Sequence, residues 1–225
     1  MGKHFALTSS DSFKFGAYRA DPAAKAKGGI VLLQEIFGVN HHIRAVCDRL
    51  AAEGYAAVAP ALFDRQQKDF ECGYTPDEIA NARKFVANPD WGAMLKDTQA
   101  AIDELKASGP VAIMGFCMGG SISFLSACKL NGLSAAVCYY GGNIAKSADE
   151  KPKIPVQMHF GEKDASIPMS DVDMIKQKRG GDCEIYVYAD AQHGFNCDER
   201  GSYQEAAAKL AWDRSMAFLA KNVKK

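Results

Sequence analysis

The chain has 225 residues, 48% of them hydrophobic, and its 27 basic and 27 acidic side chains give a formal net charge of zero. This length suits one α/β domain over residues 1–225, and the balanced charge excludes the basic field that attracts nucleic acid or anionic membrane. No apolar run reaches ~18 residues, and the amino terminus lacks the apolar core of a signal peptide, which predicts a cytoplasmic protein. The seven cysteines include no C-x-x-C pair, so we expect reduced thiols and no metal or cofactor.

Apolar runs typical of buried strands alternate with helical patterns along the chain. The second predicted helix has the clearest start, because Thr75 is placed to cap it, Pro76 follows, and acids occupy its first turn. The predicted elements are a strand at 28–35, a helix at 41–54, strand 55–60, helix 75–88, helix 91–109, strand 110–116, helix 118–132, strands opening 133–142 and 154–164, helix 171–180, strand 183–190 and helix 202–223. This order predicts an α/β fold with a mostly parallel, twisted sheet and helices on both faces.

The segment VAIMGFCMGGSIS, residues 111–123, is typical of a strand that turns sharply into a helix. It has the form of the G-x-S-x-G nucleophile turn, with Cys117 in place of serine. Gly115 and Gly119 supply the small residues that such a turn needs. The turn places Cys117 above the carboxyl edge of the sheet, with a helix N-terminus that favours a thiolate. The alternative interpretation of this segment alone is a buried structural cysteine beside packing glycines.

A thiol nucleophile needs a base, and two histidines follow Cys117. His159 lies within the strand VQMHF, where a histidine packed in the core is expected. His193 follows the strand EIYVY in a loop, and the residue after it is Gly194. In the chain order of nucleophile, acid and histidine, His193 is therefore the predicted base.

The acid that orients this histidine is predicted to be Asp164, which follows the strand that begins after residue 154. Glu162 comes two residues earlier, at the start of the loop. Asp171 and Asp173 fall on the next helix and are expected to face solvent. Three roles at three successive loop ends predict a Cys117–His193–Asp164 triad.

Glu35 ends the first predicted strand, in the segment LLQEIFG. It is either an ordinary loop acid or a group that accepts the thiol proton of the nucleophile. The same loop must supply the second amide of an oxyanion hole.

Together these segments resemble the dienelactone hydrolase family, the carboxymethylenebutenolidase-like branch of the α/β hydrolases. The resemblance covers almost the whole chain. It rests on LLQEIFGVN, HIRAVCDRLAAEGY, APALF, MGFCMGG, YYGG, HFGEKDASIP, HGFN and AAAKLAWDRSMAFL. It implies the α/β-hydrolase fold and hydrolysis of cyclic enol esters, such as dienelactone to maleylacetate, through an acyl-enzyme without metal or cofactor.

The resemblance also implies roles for individual residues. Cys117 is the nucleophile, His193 the base and Asp164 its orienting acid. Glu35 matches the glutamate that helps convert the thiol into a thiolate. The oxyanion hole is implied at the backbone N–H groups of Ile36 and Met118. The implied partner is a small ester or lactone, bound by a monomer or small homo-oligomer.

The chain departs from the family on the substrate side. The family archetype holds a substrate carboxylate with two arginines, one of them four residues after the histidine, where this chain has Cys197. The archetype's second arginine lies before the nucleophile turn, where this chain has only Arg83, which is out of register with it. Arg200 is expected at the surface unless it swings inward. The remaining candidates for binding substrate are neutral or aromatic: Phe37, Phe116, Phe195, Tyr140 and Tyr74. We therefore expect an uncharged or aromatic acyl group to be preferred over dienelactone.

Two alternative functions remain open from the sequence. One is a non-catalytic binding protein that keeps the fold and its pocket, and the other is a redox sensor based on Cys117. The adjacent histidines His41 and His42 cannot chelate one ion as an i, i+4 pair does, and we expect them to be a solvated helix start.

Overall fold

The structure is a computed structural model that describes residues 2–224. Over these residues it contains one eight-stranded sheet with strand order β1-β2-β4-β3-β5-β6-β7-β8. The strands are β1 (Lys3–Thr8), β2 (Lys14–Ala20), β3 (Gly29–Leu33), β4 (Ala56–Pro60), β5 (Val111–Phe116), β6 (Leu133–Tyr139), β7 (Val156–Gly161) and β8 (Cys183–Tyr188). The helices are α1 (His41–Ala52), α2 (Pro76–Lys84), α3 (Trp91–Leu105), α4 (Met118–Lys129), α5 (Met169–Arg179) and α6 (Glu205–Asn222).

The prediction of a mostly parallel sheet is confirmed. Strands β3 to β8 pair in parallel, whereas β2 runs antiparallel to both of its neighbours, β1 and β4. Every residue of β3, β4, β5 and β7 is buried, as expected for strands covered by helices on both faces.

The amino-terminal hairpin of β1 and β2 was not predicted. Strand β1 is mostly exposed, as an edge strand, and β2 mixes polar residues with buried ones, so neither forms a continuous apolar run. The signal that could have identified it is the spacing of Phe5 and Leu7, which pair with Ala17 and Phe15 across the hairpin.

Helix α2 begins where the sequence predicts. The Thr75 side chain accepts a hydrogen bond from the Glu78 N–H, and the Glu78 carboxylate accepts one from the Thr75 N–H at 3.0 Å. The helix ends at Lys84, four residues before the predicted end. The chain then turns so that Phe85 packs on Phe70, with ring centroids 4.1 Å apart.

No helix within residues 2–224 is both long enough and apolar enough to cross a membrane. The parallel strands all end at one edge of the sheet, where the following loops converge. The loops after β3, β5, β7 and β8 carry Glu35, Cys117, Asp164 and His193, respectively. The topology therefore gathers these four predicted site residues at one edge.

Candidate active site

Cys117 occupies a strained turn between β5 and α4. Its φ is +55° and its ψ is −115°, a conformation that residues with a Cβ rarely adopt. Its N–H donates to the Tyr139 carbonyl at 3.0 Å, and its own carbonyl accepts from the Ser121 N–H at 3.2 Å. These bonds hold the backbone, so the side chain is presented at the mouth of the turn, where it is half-buried.

The two glycines of this turn allow the helix to approach the sheet closely. A Cβ at Gly115 would lie 2.2 Å from the Gly119 carbonyl oxygen, and a Cβ at Gly119 would lie 2.5 Å from the Leu33 carbonyl oxygen. Both obstacles are backbone atoms, so a larger residue would push α4 away from β5 and β3. The spacing that indicated a nucleophile turn therefore has a steric cause in this chain.

His193 and Asp164 are joined by a short hydrogen bond. The Nδ1 of His193 donates to Oδ2 of Asp164 at 2.7 Å. The other oxygen, Oδ1, accepts from the backbone N–H groups of Ser166 and Ile167 at 2.8 and 3.2 Å. Asp164 is buried, so its carboxylate is held in one orientation and leaves Nε2 of His193 as the nitrogen free for chemistry.

The other acids considered from the sequence do not contact this histidine. Glu162 is exposed and accepts from the backbone N–H of Asp190 at 3.2 Å. Asp171 and Asp173 lie on α5, and Asp173 pairs with Lys176 at 3.6 Å.

The environment of His193 supports its charged form. Burial disfavours that form, but the Cys117 sulfur, which interacts with the imidazole by charge and hydrogen bond, and the Asp164 carboxylate outweigh it. The pKa of His193 is raised to about 10. Cys117 and His193 are thus arranged as a thiol and base between which a proton can pass.

Ile36 and Met118 both line the cleft beside Cys117. Neither backbone N–H donates to another group within the described residues, and Met118 is the first residue of α4. The next amide, from Gly119, donates to the Gln34 carbonyl at 3.0 Å and ties the two loops together. Two unpaired N–H groups that line the same cleft as the Cys117 sulfur are the type of donor that an oxyanion hole requires.

Glu35 is paired with Arg200. Its Oε1 accepts from Arg200 Nη1 at 3.0 Å, and the side chains are 2% and 16% exposed. The guanidinium also lies over the rings of Phe37 and Tyr74, at 5.4 and 5.8 Å from their centroids. The expectation that Arg200 lies at the surface is therefore wrong.

The loop after His193 explains this placement. The Cys197 N–H donates to the Gly194 carbonyl and the Arg200 N–H to the Cys197 carbonyl, so the chain turns back on itself. Gly194 has a φ of +78°, and a Cβ there would lie 2.3 Å from Arg200 Nη1. An arginine seven positions after the histidine thus reaches the cleft, which counting to the fourth position could not show.

The cleft at this edge has a volume of about 350 Å³. Its lining combines apolar residues with small and polar residues that sequence reasoning missed, because no motif marks them. The lining residues are Ile36, Phe37, Ile79, Arg83, Val86, Trp91, Cys117, Met118, Ser121, Gly142, Asn143, Ser166, His193 and Arg200. Arg83 is exposed and forms no ion pair with the residues that the structure describes.

Several predicted substrate residues lie elsewhere. Phe116, Phe195 and Tyr140 are fully buried beneath the cleft and are not part of its wall. Tyr74 stands behind Phe37, with ring centroids 4.8 Å apart. Cys197 is also buried, and its Sγ donates to the Tyr74 hydroxyl at 3.4 Å. Of the predicted aromatic residues, Phe37 alone lines the cleft among the residues described.

Two histidines outside the cleft are structural. His159 is fully buried and bonded to Tyr188 and Gln157, as predicted for a core residue, and burial lowers its pKa to about 3. His42 corrects the expectation of a solvated pair, because it is fully buried while His41 is exposed.

His42 also belongs to a possible ligand group. One of its ring nitrogens and carboxylate oxygens of Asp198 and Glu199 lie within 4.8 Å of one another, the one such group found within residues 2–224. Asp198 is already shared with Arg49 at 3.6 Å. The buried Nε2 of His42 has no hydrogen-bond partner among the residues that are described.

Comparison with known proteins gives a consistent result. The model of the dienelactone hydrolase family matches residues 15–223. A protein of Synechocystis named "Putative carboxymethylenebutenolidase" is 38% identical, with 91% of each chain covered. The carboxymethylenebutenolidase of Pseudomonas putida is 32% identical, covering 95% of this chain and 94% of that one. A Klebsiella pneumoniae crystal structure titled "Putative Dienelactone Hydrolase" has a TM-score of 0.82 at 35% identity, covering 97% and 99% of the two chains.

Proposed function

Because this chain belongs to the dienelactone hydrolase family, a family of ester and lactone hydrolases, we propose that it acts on small esters or lactones through an acyl-enzyme on Cys117. The observation that carries this proposal is the joint placement of Cys117, His193 and Asp164, with the first two lining one cleft and the third bonded to the imidazole. The strained backbone of Cys117 and the unpaired N–H groups of Ile36 and Met118 support it.

The first half of the reaction forms a thioester. His193 accepts the thiol proton at Nε2 while Asp164 holds Nδ1, and the Cys117 thiolate attacks the carbonyl carbon of the substrate. The oxyanion accepts hydrogen bonds from the Ile36 and Met118 N–H groups. Removing one such donor costs about 10²–10³ in rate in other enzymes. The imidazolium then gives its proton to the leaving oxygen as the C–O bond breaks.

The second half of the reaction restores the enzyme. His193 takes a proton from water, the hydroxide attacks the thioester carbon, and the C–S bond breaks as the sulfur leaves. The sulfur regains the proton from the imidazolium, and the carboxylic acid product departs. No group besides those named is needed for this proton balance.

Glu35 is proposed to favour the thiolate form of Cys117. The Glu35 carboxylate accepts a hydrogen bond from Arg200, so its effect on the Cys117 thiol depends on how strongly Arg200 binds it. Glu35→Gln keeps an oxygen acceptor for Arg200 but removes the charge. We expect it to lower the rate of thiol reaction while changing the melting temperature by only a few degrees.

The cleft also bears on the class of substrate. Arg83 and Arg200 both line it, and a guanidinium binds a carboxylate by a strong, directional pair of hydrogen bonds. Cys197 cannot supply such a pair, but the expectation of an uncharged acyl group assumed that no arginine reaches the cleft. We therefore propose a substrate with a carboxylate on its acyl part and an apolar body that packs on Phe37 and Trp91.

A panel of lactones and p-nitrophenyl esters, each with and without a carboxylate, tests this function. We expect hydrolysis by the wild-type protein, loss of turnover in Cys117→Ala, and a preference of at least about tenfold in kcat/KM for carboxylated members, or ~1.4 kcal/mol. Arg83→Gln should reduce that preference while hydrolysis of neutral esters continues. Retained turnover in Cys117→Ala would overturn the proposed mechanism, and equal kcat/KM for both substrate classes would overturn the proposed substrate class.

A further inference from the structure

Tyr140 has a strained backbone next to the candidate site. It follows β6 directly, and its φ is +37°, a value that residues with a Cβ seldom adopt. Its N–H donates to the His159 carbonyl at 2.8 Å, which fixes the residue to β7. Strain of this kind persists where the surroundings hold it, and it is frequent at functional sites.

The ring of Tyr140 is packed against the imidazole of His193. The two ring centroids are 5.1 Å apart, with planes inclined at 58°. Phe195 contacts the same tyrosine edge-to-face, with centroids 5.5 Å apart. Because Asp164 fixes only one nitrogen of His193, this ring contact supplies a second restraint on the tilt of the imidazole.

The hydroxyl of Tyr140 is buried and has no hydrogen-bond partner among the described residues. A buried hydroxyl without a partner is costly, and the neighbouring Tyr139 shows the usual solution, with its hydroxyl 2.8 Å from Ser215 Oγ. The charged and titratable groups that act on the Tyr140 hydroxyl are Glu35, Cys197, Arg200 and Cys117. Burial, followed by the charge of Glu35, raises the pKa of Tyr140 well above its usual value, so the O–H remains a donor.

On the basis of the hydrolase function proposed above, we propose that Tyr140 is a positioning residue whose ring holds the His193 imidazole and whose unpartnered hydroxyl donates a hydrogen bond to the Cys117 thiolate when it forms. The hydroxyl donates without losing its proton, so no bond breaks at Tyr140. The Tyr140 hydroxyl has no partner in the resting structure because, in this role, it donates to the negative charge that forms when the Cys117 thiol ionises.

Tyr140→Phe removes only the hydroxyl and separates this role from a structural one. Since the hydroxyl is unpartnered, we expect an unchanged or higher melting temperature. Alkylation of Cys117 by iodoacetamide, mapped by peptide mass, should slow at least about tenfold at neutral pH, with its pH midpoint moved upward, because a hydrogen bond to a charged group is lost. With an ester substrate, kcat should fall more than KM changes.

Tyr139→Phe is the matched control, because it deletes the adjacent hydroxyl, which is bonded to Ser215. We expect this variant to have a lower melting temperature and unchanged alkylation of Cys117. An alkylation rate for Tyr140→Phe that is less than about tenfold below wild type, or an unchanged pH midpoint, would overturn the inference. Alkylation needs no substrate, so failure of the wild-type protein to hydrolyse esters would refute the proposed function separately.

Discussion

The buried pair of Glu35 and Arg200 gives a prediction whose size follows from the structure. Arg200→Met leaves Glu35, which is 2% exposed as a side chain, without its cationic partner. Breaking such a buried pair costs ~3–5 kcal/mol. At roughly 2–4 °C per kcal/mol for a chain of this length, the melting temperature should fall by about 6–20 °C. This fall in melting temperature should be largest while Glu35 keeps its charge, and smaller once Glu35→Gln removes it.

Thermal unfolding of four proteins measures this effect: wild type, Arg200→Met, Glu35→Gln and the double variant. The double variant should regain at least half of the loss, because no unpaired carboxylate remains buried. Arg49→Met is the matched control. Arg49 meets Asp198 at 3.6 Å with both side chains more than 40% exposed, so its removal should cost ~1 kcal/mol or less. Equal losses for Arg200→Met and Arg49→Met, or no recovery in the double variant, would refute the reasoning.

Three further predictions concern the triad and the turn. Asp164→Asn should lower kcat by on the order of 10³–10⁴ with little change in KM, as measured by steady-state kinetics on an ester substrate. The amide oxygen should stay with the Ser166 and Ile167 N–H groups, so the amide NH2 faces Nδ1 of His193 and favours the wrong tautomer. Gly119→Ala should unfold at lower temperature than Ser170→Ala, an exposed α5 change, because its Cβ would meet the Leu33 carbonyl oxygen; equal melting temperatures would contradict this. His193 should stabilise the fold fully below its unfolded pKa near 6.5 and lose that contribution as pH rises through about 10, so His193→Gln should be most destabilising at acidic to neutral pH in denaturant titrations.

The fold and the chain order of the site residues could be predicted from the sequence, because both depend on local patterns. Continuous apolar runs mark β3, β4 and β5, whose residues are all buried, and the glycines around Cys117 mark a turn that only small residues allow. His193 and Asp164 could be chosen because each follows a strand that ends at the same edge. These patterns need no knowledge of packing.

The cleft wall depends on packing and could not be derived in the same way. Arg200 reaches Glu35 only because the loop after Gly194 turns back, and the turn-forming residues of HGFNCDER do not show which side chain that turn directs into the cleft. Phe116 and Phe195 were expected in the cleft because they neighbour Cys117 and His193 in sequence. Side chains adjacent along a strand or loop point in different directions, however, and both of these rings are fully buried.

The central claim is that Cys117 carries the acyl group during turnover. Rapid mixing of the protein with a p-nitrophenyl ester, acid quench and peptide mass spectrometry measure this directly. The account predicts a burst of p-nitrophenol and an acyl mass on the peptide that contains Cys117, trapped longest in Asp164→Asn. Turnover with an acyl group on any other residue, or with no burst and no adduct under single-turnover conditions, would contradict it.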